Sequence, residues 1–172
     1  MRVPRFVVEL IVGGCAVAAT AWITAYVLGQ DLRRFEVDDT LRPIAALLAD
    51  NARILDSLKH DGIAASESVL LGVYLQNIRR DGVAKHAATK QRIDTISNNN
   101  ATVVALLGRY AAHARSPEFR VAAAKFVEYA IRFRDRWQSV FEIFMAGGDL
   151  PPSGPQTPPE FASAVTTEAL TL

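Results

Sequence analysis

The chain is poor in the residues that build covalent and metal-dependent sites. It has one cysteine in 172 residues, Cys15, so an intrachain disulfide is excluded. Zinc and iron–sulfur centres assembled from cysteines are excluded with it. The cysteine count leaves the compartment open, because a domain outside the cytoplasm need not use disulfides. His60, His86 and His113 are the three histidines, and none has a second ligand-type residue at a spacing such as H-x-x-x-H or E-x-x-H. There is no C-x-x-C-H for haem, no G-x-G-x-x-G, no Walker loop and no G-x-S-x-G elbow. These absences lead us to expect a non-catalytic protein without a cofactor.

A large charge of one sign is also missing. The net charge is +1, so global charge does not point to nucleic acid. Its distribution says more. Residues 31–67 carry five basic and eight acidic side chains, residues 79–136 twelve and five, and residues 137–172 none and four. A basic middle with an acidic end either polarises the surface or supplies ordinary solvated helix faces. The basic run Arg79, Arg80, Lys85, His86, Lys90 and Arg92 has no interleaved aromatics, which weakens a single-strand nucleic-acid reading. Arg79, Arg80, Lys85, Lys90 and Arg92 suit anionic lipid or an acidic protein surface better.

The strongest feature present is Leu10–Leu28, which reads LIVGGCAVAATAWITAYVL, 19 residues without a charge. As a helix it would span about 28 Å, close to the hydrocarbon thickness of a bilayer. Three readings compete. A cleaved signal peptide fits Arg2, Arg5 and the small-x-small sites at Ala16–Ala18 and Ala19–Ala21. A lipoprotein signal fits Val12-Gly13-Gly14-Cys15 loosely, but apolar residues follow the cysteine. The apolar run continues past both cleavage sites to Leu28, and Glu9 interrupts the start, so an uncleaved single-pass anchor is the reading adopted. Basic residues flank the span almost evenly, and a short basic head favours the N-terminus inside, with the rest periplasmic or extracytoplasmic. Gly14, Ala18, Ala21, Ala25 and Gly29 form a small-residue stripe of the kind that lets two membrane helices approach closely.

Beyond the anchor, the pattern predicts an all-α chain. Residues 1–29 form the head and span, 30–40 a polar neck, 41–148 an antiparallel helical bundle and 149–172 a Pro-rich tail. Apolar spacing predicts helices over Leu41–His60 and Ile63–Arg80, stopped by Asp61-Gly62 and Asp81-Gly82. Val83–Ile96 has helical propensity. Ser97-Asn98-Asn99-Asn100 reads as a turn before a helix over Ala101–Arg115, the alternative being one helix through the asparagines. Ser116-Pro117-Glu118 is a strong helix start, and Gly147-Gly148 a stop. Between them Phe119, Ala122, Phe126, Ala130, Phe133, Trp137, Val140, Phe141 and Phe144 recur at helical steps, as a core stripe rather than a cofactor box.

Residues 149–159 hold five of the eight prolines and read as an extended spacer. Thr157-x-x-Glu160 resembles a capping box opening a short helix through Phe161, Val165 and Leu170. Phe161 and Val165 are its candidate docking residues. The architecture leads to an expected role as an accessory subunit of a larger membrane complex, its partners being other subunits and the lipid bilayer. The alternative is a membrane-anchored extracytoplasmic bundle with a ligand-binding or sensory role, using Tyr74, His113 or Arg132 in a pocket.

Overall fold

The computed structural model describes residues 37–110, 113–151 and 153–171, which form five α-helices and no strand. The expected span and its stripe, Gly14, Ala18, Ala21, Ala25 and Gly29, lie outside the described residues. Among those described, no helix is long and apolar enough to cross a membrane.

Helix α1 is Arg42–His60, entered through a π-helical turn at Val37–Leu41 and carrying Pro43 in its first turn, where a missing N–H costs nothing. Helix α2 is Glu67–Asp81. A short 3-10 turn, Val83–His86, leads into α3, Ala87–Tyr110. Helix α4 is Pro117–Ala146 and α5 is Pro159–Thr171. The Asp-Gly breaks and the Ser-Pro-Glu start fall where the sequence places them. The Ser116 side chain accepts the Phe119 N–H at 3.1 Å, capping α4. Gly147 closes it in the left-handed conformation, at φ +70.

Three expectations need correction. Helix α2 starts at Glu67, not Ile63, because residues 63–66 carry the chain back towards the middle of the bundle and Ser66 is extended. The asparagine cluster is no turn: α3 runs straight through Ser97–Asn100. Local side-chain bonds would favour a turn there, but Asn99 and Asn100 find partners on neighbouring helices instead. The region from Val83 is likewise one 3-10 turn joined to one long helix.

Helices α1, α3 and α4 form the body. Asn51 faces Asn100 while Asp61 meets Arg92, so α1 and α3 run antiparallel. Tyr110 meets Phe119 while Asp94 meets Trp137, so α3 and α4 do too. The fourth position is shared. Glu67 lies beside Tyr129 and Arg79 beside Gly148, so α2 covers the second half of α4. Glu160 lies beside Lys125 and Glu168 beside Ser116, so α5 covers the first half, in the opposite direction. The lengths agree: 15 and 13 residues make about 22 and 20 Å, together close to the ~45 Å of the 30-residue α4. The two short helices therefore meet N-terminus to N-terminus at the midpoint of α4.

The core follows the stripe read from α4. Phe119, Phe126, Phe133, Trp137 and Val140 are buried, and Phe141 and Phe144 are partly buried against them. Each fully buried aromatic or aliphatic side chain contributes about 1.5–3 kcal/mol. Tyr74 meets Trp137 edge-on at 5.3 Å, tying α2 to the stripe. Phe161 stacks on Phe126 at 4.4 Å, tying α5 to it.

Candidate docking site around the C-terminal helix

A layer of polar side chains crosses the bundle where the two short helices meet. Asn51 on α1 donates to Asn100 on α3 at 2.8 Å, and Asn100 donates to the Tyr129 hydroxyl on α4 at 3.2 Å. Asn99 donates to Asn51 at 2.9 Å and to Asp50 at 3.0 Å. The Tyr129 hydroxyl donates in turn to Glu67 at the start of α2. Glu67 also accepts the Thr157 backbone N–H at 2.8 Å and its hydroxyl at 3.1 Å. One carboxylate thus sits between the N-termini of α2 and α5, each of which carries a partial positive charge. Burial, then the Glu67 charge, pushes the Tyr129 phenol far above its ordinary range, so it stays a donor. A layer of this kind fixes which helix faces meet, since any slip strands several buried polar groups.

A second buried carboxylate fastens the far end of α5. Glu168 is 0% exposed. It accepts the Tyr110 hydroxyl at 2.8 Å and the Arg115 and Ser116 N–H groups at 2.7 and 3.1 Å. Those N–H groups lead into α4, so the negative charge lies at a helix N-terminus, where it is favoured. Phe161, Val165 and Glu168 fall at i, i+4 and i+7 and form one buried stripe.

The strap between Asp149 and Pro158 is packed rather than free-standing. Arg79 binds the Gly148 carbonyl and Asp149. Arg136 binds the Pro151 and Ser153 carbonyls, and burial lowers the pKa of its guanidinium. Gly154 donates its N–H to the Ser68 carbonyl at 2.6 Å, and a Cβ there would lie 2.7 Å from that oxygen. Thr157 bonds Glu67 and does not form the expected capping box. Glu160 bonds Lys125 at 2.7 Å instead, which holds its carboxyl below the usual range.

These contacts place the residues singled out from sequence. Phe161 and Val165 are buried inside this chain's own core, so their side chains are spent there and are not offered to a partner. The basic run does not converge into one patch. Arg79 holds the strap, Arg80 pairs with Asp81, Lys90 with Asp94 and Arg92 with Asp61, while Lys85 is exposed. Lys90 also sits over the Phe141 ring at 5.9 Å. Tyr74 is buried, whereas His113 and Arg132 are exposed, and the three do not meet. Among the described residues no three His, Cys, Asp or Glu side chains are placed to hold a metal.

A groove of about 600 Å³ runs along the outer side of the α4–α5 contact. Val121, Ala122 and Ala164 give it an apolar floor, and Ser116, Ser163 and Thr167 line it with hydroxyls. The Lys125–Glu160 pair and Glu118 border it. Val121 is 58% exposed, unusual for a branched apolar side chain in a helix face. Sequence reasoning missed Glu67, Tyr129, Arg136, Gly154 and Glu168. Glu168 and Asn100 had a readable sign, a polar residue inside an apolar helical stripe. Comparison with known proteins returns no matching family model, no matching curated protein and no matching solved structure. The functional reading therefore rests on geometry and sequence.

Proposed function

We propose that this chain is a non-catalytic accessory subunit of a larger membrane protein complex. Leu10–Leu28 tether it to the bilayer, and the α4–α5 side of the bundle docks on a neighbouring subunit. The observation that supports docking is the groove bordered by Val121, Ala122 and Ala164, with its small side chains and apolar floor. Small residues on both walls let a third helix approach closely. The turn Val37–Leu41 packs against α5, so the groove lies in the half of the bundle that holds Val37.

The test is co-purification of the full chain after mild detergent extraction, with Val121→Glu as the control. The expected result is a stable partner that the charged variant loses while its helical content is unchanged. A monomer without a partner, or a partner indifferent to Val121→Glu, contradicts this reading.

A further inference from the structure

The two ends of the bundle treat their cations differently. At one end Arg79, Arg80 and Arg92 each hold a carboxylate, on Asp149, Asp81 and Asp61. The other end is made of the Val37–Leu41 turn, the last turn of α3, the α3–α4 connection, the first turn of α4 and the last turn of α5. Arg109, Arg115 and Arg120 are exposed there, and none forms an ion pair among the described residues. Arg120 donates to the Ala114 carbonyl at 3.4 Å, back towards the α3–α4 connection.

The carboxylates at this end are mostly engaged elsewhere. Asp38 holds Arg42 at 2.9 Å. Glu168 is buried, with its oxygens on the Tyr110 hydroxyl and on the Arg115 and Ser116 N–H groups. That leaves Asp39 and Glu118, and Glu118 already bonds the Ser116 hydroxyl at 2.8 Å. Its own backbone N–H and that hydroxyl, then the Arg120 charge, hold the Glu118 carboxyl below the usual range. Positive charge is therefore in excess, on guanidiniums whose flat, forked donors match phosphate oxygens. Leu170, in the last turn of α5, is 84% exposed at the same end. Cations for phosphate beside an apolar side chain suit a surface that lies on lipid headgroups.

Chain length adds a constraint independent of charge. Nine residue steps separate Leu28 from Val37, a reach of at most about 32 Å. Helix α4 alone is ~45 Å long. With Leu28 at the bilayer surface, the bundle cannot stand on its opposite end.

We propose that this end of the bundle, through Arg109, Arg115, Arg120 and Leu170, lies on the anionic phospholipid headgroups of the membrane that carries the tether. This surface presupposes the tether proposed above, and adds the orientation of the bundle and the lipid chemistry it meets. None of the four residues lines the α4–α5 groove, so that groove stays open to a neighbouring subunit.

The test uses the full chain in vesicles of phosphatidylcholine, alone or with about 30% phosphatidylglycerol, that carry an acceptor dye on a lipid headgroup. A donor dye is attached near Arg109 through Gly108→Cys, where a Cβ meets nothing within 4 Å, or at the opposite end through Met145→Cys, at a side chain 82% exposed. Both are made in a Cys15→Ala background. Energy transfer from position 108 is expected to exceed that from position 145, to rise when phosphatidylglycerol is added and to fall with salt. Arg109→Gln, Arg115→Gln and Arg120→Gln should each shift the ratio of docked to lifted bundle about fivefold. Position 108 no closer to the lipid than position 145 overturns the proposal. Transfer indifferent to phosphatidylglycerol, salt and the arginines overturns it as well, because chain length alone then sets the height. The lipid and salt arms keep the arginines intact, so they decide the matter even where a variant misfolds. Alkaline carbonate washing of the same vesicles separates this surface from the tether. A chain that washes off overturns the tether and the surface together, whereas a chain that stays, with position 108 far from the lipid, overturns the surface alone.

Discussion

The two short helices solve the same problem in different ways. Both cover half of α4, and together they make one wall. Helix α2 buries Leu70, Leu71, Tyr74, Leu75 and Ile78, and is joined at both ends to helices of the body. Helix α5 buries Phe161, Val165 and Glu168, and among the described residues its backbone connection to the other helices is the strap at its N-terminal end. The first is held by apolar area, which opens only when the bundle does. The second depends on one aromatic, one valine, one buried carboxylate and a set of polar clips. Local stability differs within a fold for this reason, and segments with few apolar contacts open first.

Paired substitutions break this comparison most sharply. Phe161→Ala should cost about 3–5 kcal/mol, the range for a buried Phe, but the loss should fall on α5 alone. Leu75→Ala should cost about 2–5 kcal/mol and lower the unfolding midpoint of the whole bundle. Residue-resolved hydrogen exchange with denaturant unfolding separates the two outcomes. Glu168→Ala comes next, at about 3 kcal/mol, because it removes a buried carboxylate and the acceptor of two backbone N–H groups. Glu168→Gln keeps the shape and loses the charge, and should recover only part of that.

Tyr129→Phe affects both short helices, since its hydroxyl bridges Asn100 and Glu67. A cost of about 1–3 kcal/mol is expected, with protection falling at the starts of α2 and α5 together. The same residue gives the fold a basic limit. Its phenol has an ordinary value of 10.0, raised in the fold by burial and then by Glu67. Above that pH the unfolded chain releases a proton that the folded chain keeps. The contribution is complete below about pH 10 and is lost as pH rises, at up to ~1.4 kcal/mol per pH unit. Tyr129→Phe should flatten that fall in a pH series of unfolding midpoints. The smallest effect belongs to Lys125→Ala. Its pair with Glu160 is largely exposed and screened by solvent, so the unfolding midpoint is expected to stay within the error of the measurement.

How much of this was legible follows from where each signal lives. The α4 stripe and its caps are local: Ser116, Pro117 and Gly147 act within one turn, and apolar residues at steps of three and four mark a face. The same applies to the Asp-Gly breaks. Partner choice is not local. Asn98, Asn99 and Asn100 carry turn propensity by themselves, and it is Asp50, Asn51 and Tyr129 on other helices that overrule it. The charge blocks are ambiguous for the same reason. An acidic end and a basic middle fit either a polarised surface or ordinary solvated helix faces, and composition does not show that Asp149 meets Arg79 and Glu160 meets Lys125 within one chain. Phe161 and Val165 were recognised as the apolar face of a short helix, but periodicity does not say whose core that face enters.

Helix α5 and its strap are expected to behave as a separate unit laid on a self-sufficient body. Native-state hydrogen exchange of the full chain across low denaturant tests it most directly. The expected result is that amides of α5 exchange through an opening of lower free energy than those of α1, α2, α3 and α4, which share one value. If the α5 amides exchange only with global unfolding, at that same value, the claim is contradicted.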